Sequence, residues 1–216
     1  MSNQGLPHRG QPVYTAGQPL NEAKAAMILV HGRGATAPSI LELANALYHP
    51  DFVYLAPQAA NNTWYPNSFL SPIPGNEPGL SSGLAVLGDL IAQIEAAGIS
   101  AEKIVLAGFS QGACLASEFV ARNARPYGGL LAFSGGVIGP PGTPRNYEGS
   151  LEGMPVFMGC SDSDFHIPVE RVHESTAVFE ALGAAVTERI YPNMGHTIIQ
   201  DEIDQARGIV EGVVTA

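Results

Sequence analysis

Six short runs of apolar, β-favouring residues recur along this chain: Ala26 to His31, Phe52 to Ala56, Ile104 to Gly108, Leu130 to Ser134, Pro155 to Gly159 and Val186 to Tyr191. They are apolar nearly end to end, the pattern of strands buried on both faces. Between them, Ser39 to Tyr48, Leu84 to Ala97, Gly112 to Asn123, Val169 to Leu182 and Ile198 to Val213 carry apolar residues three and four apart, the spacing of amphipathic helices. Strand and helix in alternation predict an α/β fold, a mostly parallel sheet covered by helices on both faces. In such sheets ligands sit beyond the carboxyl ends of the strands. A chemically useful residue is therefore expected just after one of the six runs.

With 216 residues the chain is expected to form a single domain, 1–216, with no large cap. Two Pro-, Gly- and Asn-rich stretches, Ala59 to Gly83 and Gly135 to Gly153, read as surface loops. A net charge of -10 repels phosphate backbones and anionic headgroups, so no nucleic-acid partner is expected. The start, "MSNQGLPHRG", lacks a basic and an apolar leader region, and no apolar run approaches the ~20 residues of a membrane span, so a cytoplasmic protein is expected. Cys114 and Cys160 both lie in apolar context and are read as buried free thiols. The oligomeric state is left open, a homodimer included.

One strand end stands out. "KIVLAGF" runs straight into Ser110, and a helix begins near Gly112, which is the strand, sharp turn, helix setting of the G-x-S-x-G motif. A nucleophile on such a turn needs close neighbours without side chains, which accounts for Gly108 and Gly112. The following helix points its positive end at the serine, and the backbone N–H of Gln111 faces any developing oxyanion. A capping serine on a Gly-rich turn is the structural alternative.

A serine hydroxyl needs a base and an orienting acid from other strand ends. Of the six histidines, His8 in the polar N-terminal arm, His49 beside Pro50 and His173 within a helix are read as solvated or packed. His196 differs: "RIYPNMGHTII" ends a strand, turns, and delivers the histidine before the last helix. For the acid, "GCSDSDFHIP" presents Asp162 and Asp164 after another strand, and residue chemistry does not choose between them. His166 in that loop is a minor rival base. A second oxyanion donor is expected from the loop in "MILVHGRGAT", where the N–H of Arg33 lies between two glycines. His31 is read as structural. The Arg33 side chain is read as solvated, the alternative being that it attracts a carboxylate-bearing acyl group.

Taken together, "LVHGRGA", "NNTWYP", "LAGFSQGACLA", "GCSDSDFHIPVE" and "YPNMGHTI" resemble, in order and over nearly the whole chain, the carboxylesterase, phospholipase and acyl-protein thioesterase family of α/β-hydrolases. The resemblance implies that Asp164, followed by Ile167-Pro168, is the acid. It implies that Arg33 and Gln111 supply the oxyanion N–H groups, and that Trp64 and Tyr65 wall the substrate site. Acyl-protein thioesterases usually carry Leu-Gly-Asp after the HG pair; here Arg33-Gly34-Ala35 stands instead, closer to bacterial small-ester hydrolases of the same family.

The expected function is hydrolysis of short- to medium-chain carboxylic esters through Ser110, His196 and Asp164, with a small-molecule ester as partner and no cofactor or metal. Because the base must be neutral, activity is expected to fall on acidification. A thioesterase or lysophospholipase of longer acyl chains is the alternative within enzymes, and a non-catalytic binding protein of the same fold the alternative outside them.

Overall fold

The computed structural model describes residues 5–215, so the ends of the expected domain, residues 1–4 and residue 216, lie outside the described residues. Among the described residues seven strands form one sheet: β1 (Val13–Gly17), β2 (Ala25–Val30), β3 (Phe52–Pro57), β4 (Ile104–Phe109), β5 (Gly129–Phe133), β6 (Pro155–Ser161) and β7 (Ala185–Tyr191). Their spatial order is β1-β3-β2-β4-β5-β6-β7, all parallel except β1, which runs antiparallel to β3 at one edge. The six apolar runs correspond to β2 through β7. β1 is an addition: its residues are mostly exposed and it carries no apolar run to betray it.

The helices are α1 (Ala37–Leu41), α2 (Leu43–Ala46), α3 (Gly79–Ala96), α4 (Gln111–Arg122), α5 (Val169–Ala181) and α6 (Gln200–Thr215). The stretch read as one helix over Ser39 to Tyr48 is two short ones, opened by a capping box between Thr36 and Ser39. The third begins five residues before the expected Leu84, inside the stretch read as loop. Its Gly79 and Gly83 lie against Trp64 and Leu115, where a side chain would not fit.

Alternate residues of β2 serve the two faces of the sheet. Ala26, Ile28 and Val30 pack with α3, α4 and α5, whereas Ala25, Met27 and Leu29 pack with α1 and α6. α4 is buried all round through Ala121, as a helix trapped between the sheet and a second layer must be. The longest connections, residues 58–78 and 134–154, hold nothing more regular than 3₁₀ turns and a single bridge, so no helical cap is inserted between strands. Among the described residues no helix is long and apolar enough to cross a membrane.

Candidate active site

Ser110 sits between β4 and α4 with φ 56° and ψ -120°, a conformation costing a non-glycine residue roughly 1–3 kcal/mol. Packing makes this turn possible. A Cβ on Gly112 would run into the carbonyl of Val30, and one on Gly108 would run into Gly112. Both glycines are thus required for space, letting α4 press onto β2 and β4 directly behind the serine. Backbone bonds from Ser110 N to Phe133 O (2.9 Å) and from Cys114 N to Ser110 O (3.0 Å) hold the turn.

From the far side, the turn after β7 brings His196 to the serine. Its Nε2 lies 2.9 Å from Ser110 Oγ, and its Nδ1 lies 2.6 Å from Asp164 Oδ2. An ionised carboxylate only accepts, so Nδ1 carries the proton and Nε2 is left to accept from the serine hydroxyl. Asp164 has a fully buried side chain whose Oδ1 also accepts from the N–H groups of His166 (2.8 Å) and Ile167 (3.2 Å). Asp162 is elsewhere, accepting from Asn193 N at 2.8 Å. His166 makes no bond to the serine; its ring lies 4.8 Å from that of His196, as does the ring of Phe109. The imidazole thus packs against two aromatic rings, a role for Phe109 that nothing in the sequence pattern signals.

Among the described residues no protein acceptor faces the N–H of Gln111 or of Arg33. The Gln111 side chain, to which the sequence assigns no role, is buried and spans two segments. Its Oε1 accepts from Trp64 N (2.8 Å) and Thr63 Oγ1 (3.2 Å), and its Nε2 donates to Tyr65 O (2.9 Å). His31 donates from Nδ1 to Gly32 O (2.8 Å) and accepts at Nε2 from Ala59 N (3.1 Å), a structural role. His8 is not solvated. It is buried, accepting from Ala60 N (3.0 Å) at Nδ1 and donating to Trp64 O (2.8 Å) from Nε2. Burial pushes the pKa of both imidazoles down.

A cavity of about 630 Å³ opens over Ser110 and His196. Tyr65, Phe69, Phe109 and Ile167 give it apolar walls, and Arg33 stands at its edge. Trp64, expected beside the substrate, does not line it. The indole is fully buried, donating Nε1–H to His31 O (2.9 Å) and packing on the rings of His8 and His31, because a buried indole must place its N–H on an acceptor. Tyr65 alone of the pair is at the wall, 1% exposed. The Arg33 side chain is exposed yet not merely solvated, since it bonds Thr63 Oγ1 (3.1 Å), Pro66 O (2.9 Å) and Asn67 O (2.5 Å). Cys114 also lines the cavity, but burial pushes its thiol up to about 12, which keeps it protonated and unreactive. Among the described residues no cluster of three or more His, Cys, Asp or Glu is placed to hold a metal ion.

Known proteins share this architecture. A family model described as Phospholipase/Carboxylesterase matches residues 15–212. The crystal structure of a phospholipase/carboxylesterase from Dyadobacter fermentans is 46% identical, with a TM-score of 0.90 over 94% of this chain and 97% of that one. Acyl-protein thioesterase 1 of Debaryomyces hansenii is 25% identical over 222 residues, 89% of this chain and 92% of that protein. The carboxylesterase of Bacillus cereus, at 19% identity and TM-score 0.74 over 95% of each chain, shares the fold.

Proposed function

Since the chain belongs to the phospholipase/carboxylesterase family and has the α/β-hydrolase fold, we propose that it hydrolyses short- to medium-chain carboxylic esters through an acyl-enzyme on Ser110. The observation that carries this reading is the hydrogen-bonded series Ser110, His196, Asp164, whose first two members line the cavity. Ser110 Oγ attacks the carbonyl carbon as its proton passes to His196 Nε2. The tetrahedral oxyanion is held by the N–H groups of Gln111 and Arg33. Collapse breaks the bond to the alcohol oxygen, which takes the proton back from His196, and a water repeats the sequence to release the acid. Asp164 fixes the imidazole tautomer and stabilises the imidazolium. Tyr65 forms part of the substrate wall.

The test is turnover of p-nitrophenyl esters from acetate to palmitate, with covalent capture by a fluorophosphonate. Ser110→Ala is expected to lower kcat by about 10⁶-fold and to abolish labelling. Equal labelling of the variant would place the nucleophile elsewhere, and neither labelling nor turnover by the unaltered protein would leave a non-catalytic binding protein as the better reading. The thioesterase or lysophospholipase reading has support from the acyl-protein thioesterase relative. It predicts a rate gain of about fourfold per added methylene, the equivalent of ~0.8 kcal/mol each, continuing to long chains. The small-ester reading predicts a plateau and then a fall.

A further inference from the structure

Arg33 is a cation without a counterion. Most of the chain's ten Lys and Arg side chains meet a carboxylate within ion-pair distance, as Arg9 does Asp89 and Arg145 does Glu174. Arg33, at the cavity edge, meets none among the described residues, and its three partners, Thr63 Oγ1, Pro66 O and Asn67 O, are neutral oxygens. They occupy both hydrogens of Nη1 and one of Nη2. A guanidinium has five N–H groups, so two are left, one on Nε and one on Nη2. Both can donate to a carboxylate. Neutral loop oxygens therefore hold the group in place without cancelling its charge, and the cost of ordering a long side chain is met before any ligand arrives.

The rest of the lining agrees. It contains no Asp or Glu, although the chain carries a net charge of -10, and Asp164 is screened behind His196. The acidic surface elsewhere discourages anions, whereas this cavity presents a fixed positive charge beside apolar walls. A phosphate, with nearly two charges, calls for more than one cation, and Arg33 is the one Lys or Arg in the lining.

We infer that the ester taken by this site carries a carboxylate, received by the two remaining N–H groups of Arg33 while Ser110 attacks the ester carbonyl. The inference rests on the hydrolase reading above and adds the substrate class. The carboxylate can belong to the acyl or to the alcohol half, and two substrate pairs separate these: p-nitrophenyl hydrogen glutarate against p-nitrophenyl pentanoate, and 4-acetoxybenzoate against 4-acetoxybenzamide. In the unaltered protein the anionic member of one pair is expected to have the higher kcat/KM by roughly 10- to 100-fold, the worth of a charge-assisted hydrogen bond. Arg33→Gln is expected to erase that ratio and Arg33→Lys to keep part of it. Comparing the two substrates within each variant cancels any disturbance of the Arg33 N–H. Should Arg33→Gln fail to fold, raising the salt from about 0.02 to about 0.5 M must shrink the same ratio in the unaltered protein. Turnover of both neutral esters with no anionic preference, or a preference untouched by Arg33→Gln and by salt, overturns the inference alone. Absence of turnover on all four esters overturns the hydrolase reading and the inference with it.

Discussion

Residues 58–78 and residues 134–154 are both long connections rich in Pro and Gly, yet the first is clamped almost wholly by neutral groups and the second by charges. In the first, His8, His31 and Gln111 take the N–H groups of Ala60, Ala59 and Trp64, and Arg33 alone brings a charge. In the second, buried Glu118 accepts from Ile138 N (2.8 Å) and Tyr147 Oη (3.2 Å). Arg171 donates to Val137 O (2.8 Å) and Gly139 O (2.7 Å), and Arg145 ties Ile138 O to Glu174. The first supplies the wall of the cavity and the second none of it. Near the carbonyl on which the proposed reaction would develop charge, a neutral clamp leaves the local field to Ser110, His196 and Arg33. Far from it, ions anchor the backbone, at the risk that losing one strands its partners.

That contrast can be broken at either loop. Glu118→Ala removes a carboxylate whose side chain is 2% exposed and leaves Arg122, Tyr147 and the Ile138 N–H without it. Urea unfolding should show a loss of about 3–5 kcal/mol, with KM for a short ester unchanged in the protein that remains folded. A shifted KM would show that the second loop reaches the site after all. Gln111→Ala should do the reverse. Stability falls by only about 1–3 kcal/mol for the unpaired Trp64 N–H, but kcat/KM drops by about 10- to 100-fold as the wall shifts.

Acid should sharpen the contrast, because only the first loop hangs on imidazoles. The pKa values of His8 and His31 lie below 6.5 in the folded protein, chiefly through burial. Between those values and 6.5 the unfolded chain binds more protons, so their contribution is complete above pH 6.5 and drains away as pH falls below it. Trp64, the only tryptophan, sits between the two rings and reports on this loop directly. Its emission should move to the red below pH 6.5 ahead of global unfolding. An unmoved spectrum down to the unfolding transition would show that the imidazoles do not latch the loop.

The smallest effect has the opposite sign and belongs to neither loop. Glu202, fully buried under Gly159 with Oε1 unpartnered, has its pKa pushed up to about 7 by desolvation. The folded state then binds more protons than the unfolded one between pH 4.5 and 7, and stability declines as pH rises through that range. Glu202→Gln should be more stable by ~1 kcal/mol at pH 8 and equal at pH 5.

Strands buried on both faces announce themselves, because a continuous apolar run has few other uses; β2 to β6 were legible for that reason, whereas β7, at the other edge with no buried residue, was marked only by its β-favouring residues. β1 was not, since an edge strand with exposed Val13 and Tyr14 has the composition of a loop. Gly108, Ser110 and Gly112 were legible because one local turn needs all three. Partners from distant segments were less so. Asp162 and Asp164 are chemically alike, and only the fold brings Asp164 to His196. In an irregular loop no period says which of Trp64 and Tyr65 faces the cavity. His8 and the Gln111 side chain find their partners 46 to 56 residues away, a distance over which sequence carries no geometric signal.

The central claim is that Ser110 Oγ carries the acyl group between the two halves of the reaction. Rapid acid quench during turnover of p-nitrophenyl acetate, followed by mass measurement of the intact protein and its peptides, reads this directly. One acetyl group is expected, confined to the peptide holding Ser110 and absent from Ser110→Ala. Undiminished hydrolysis by Ser110→Ala, or acetyl found only on another residue, would contradict the account.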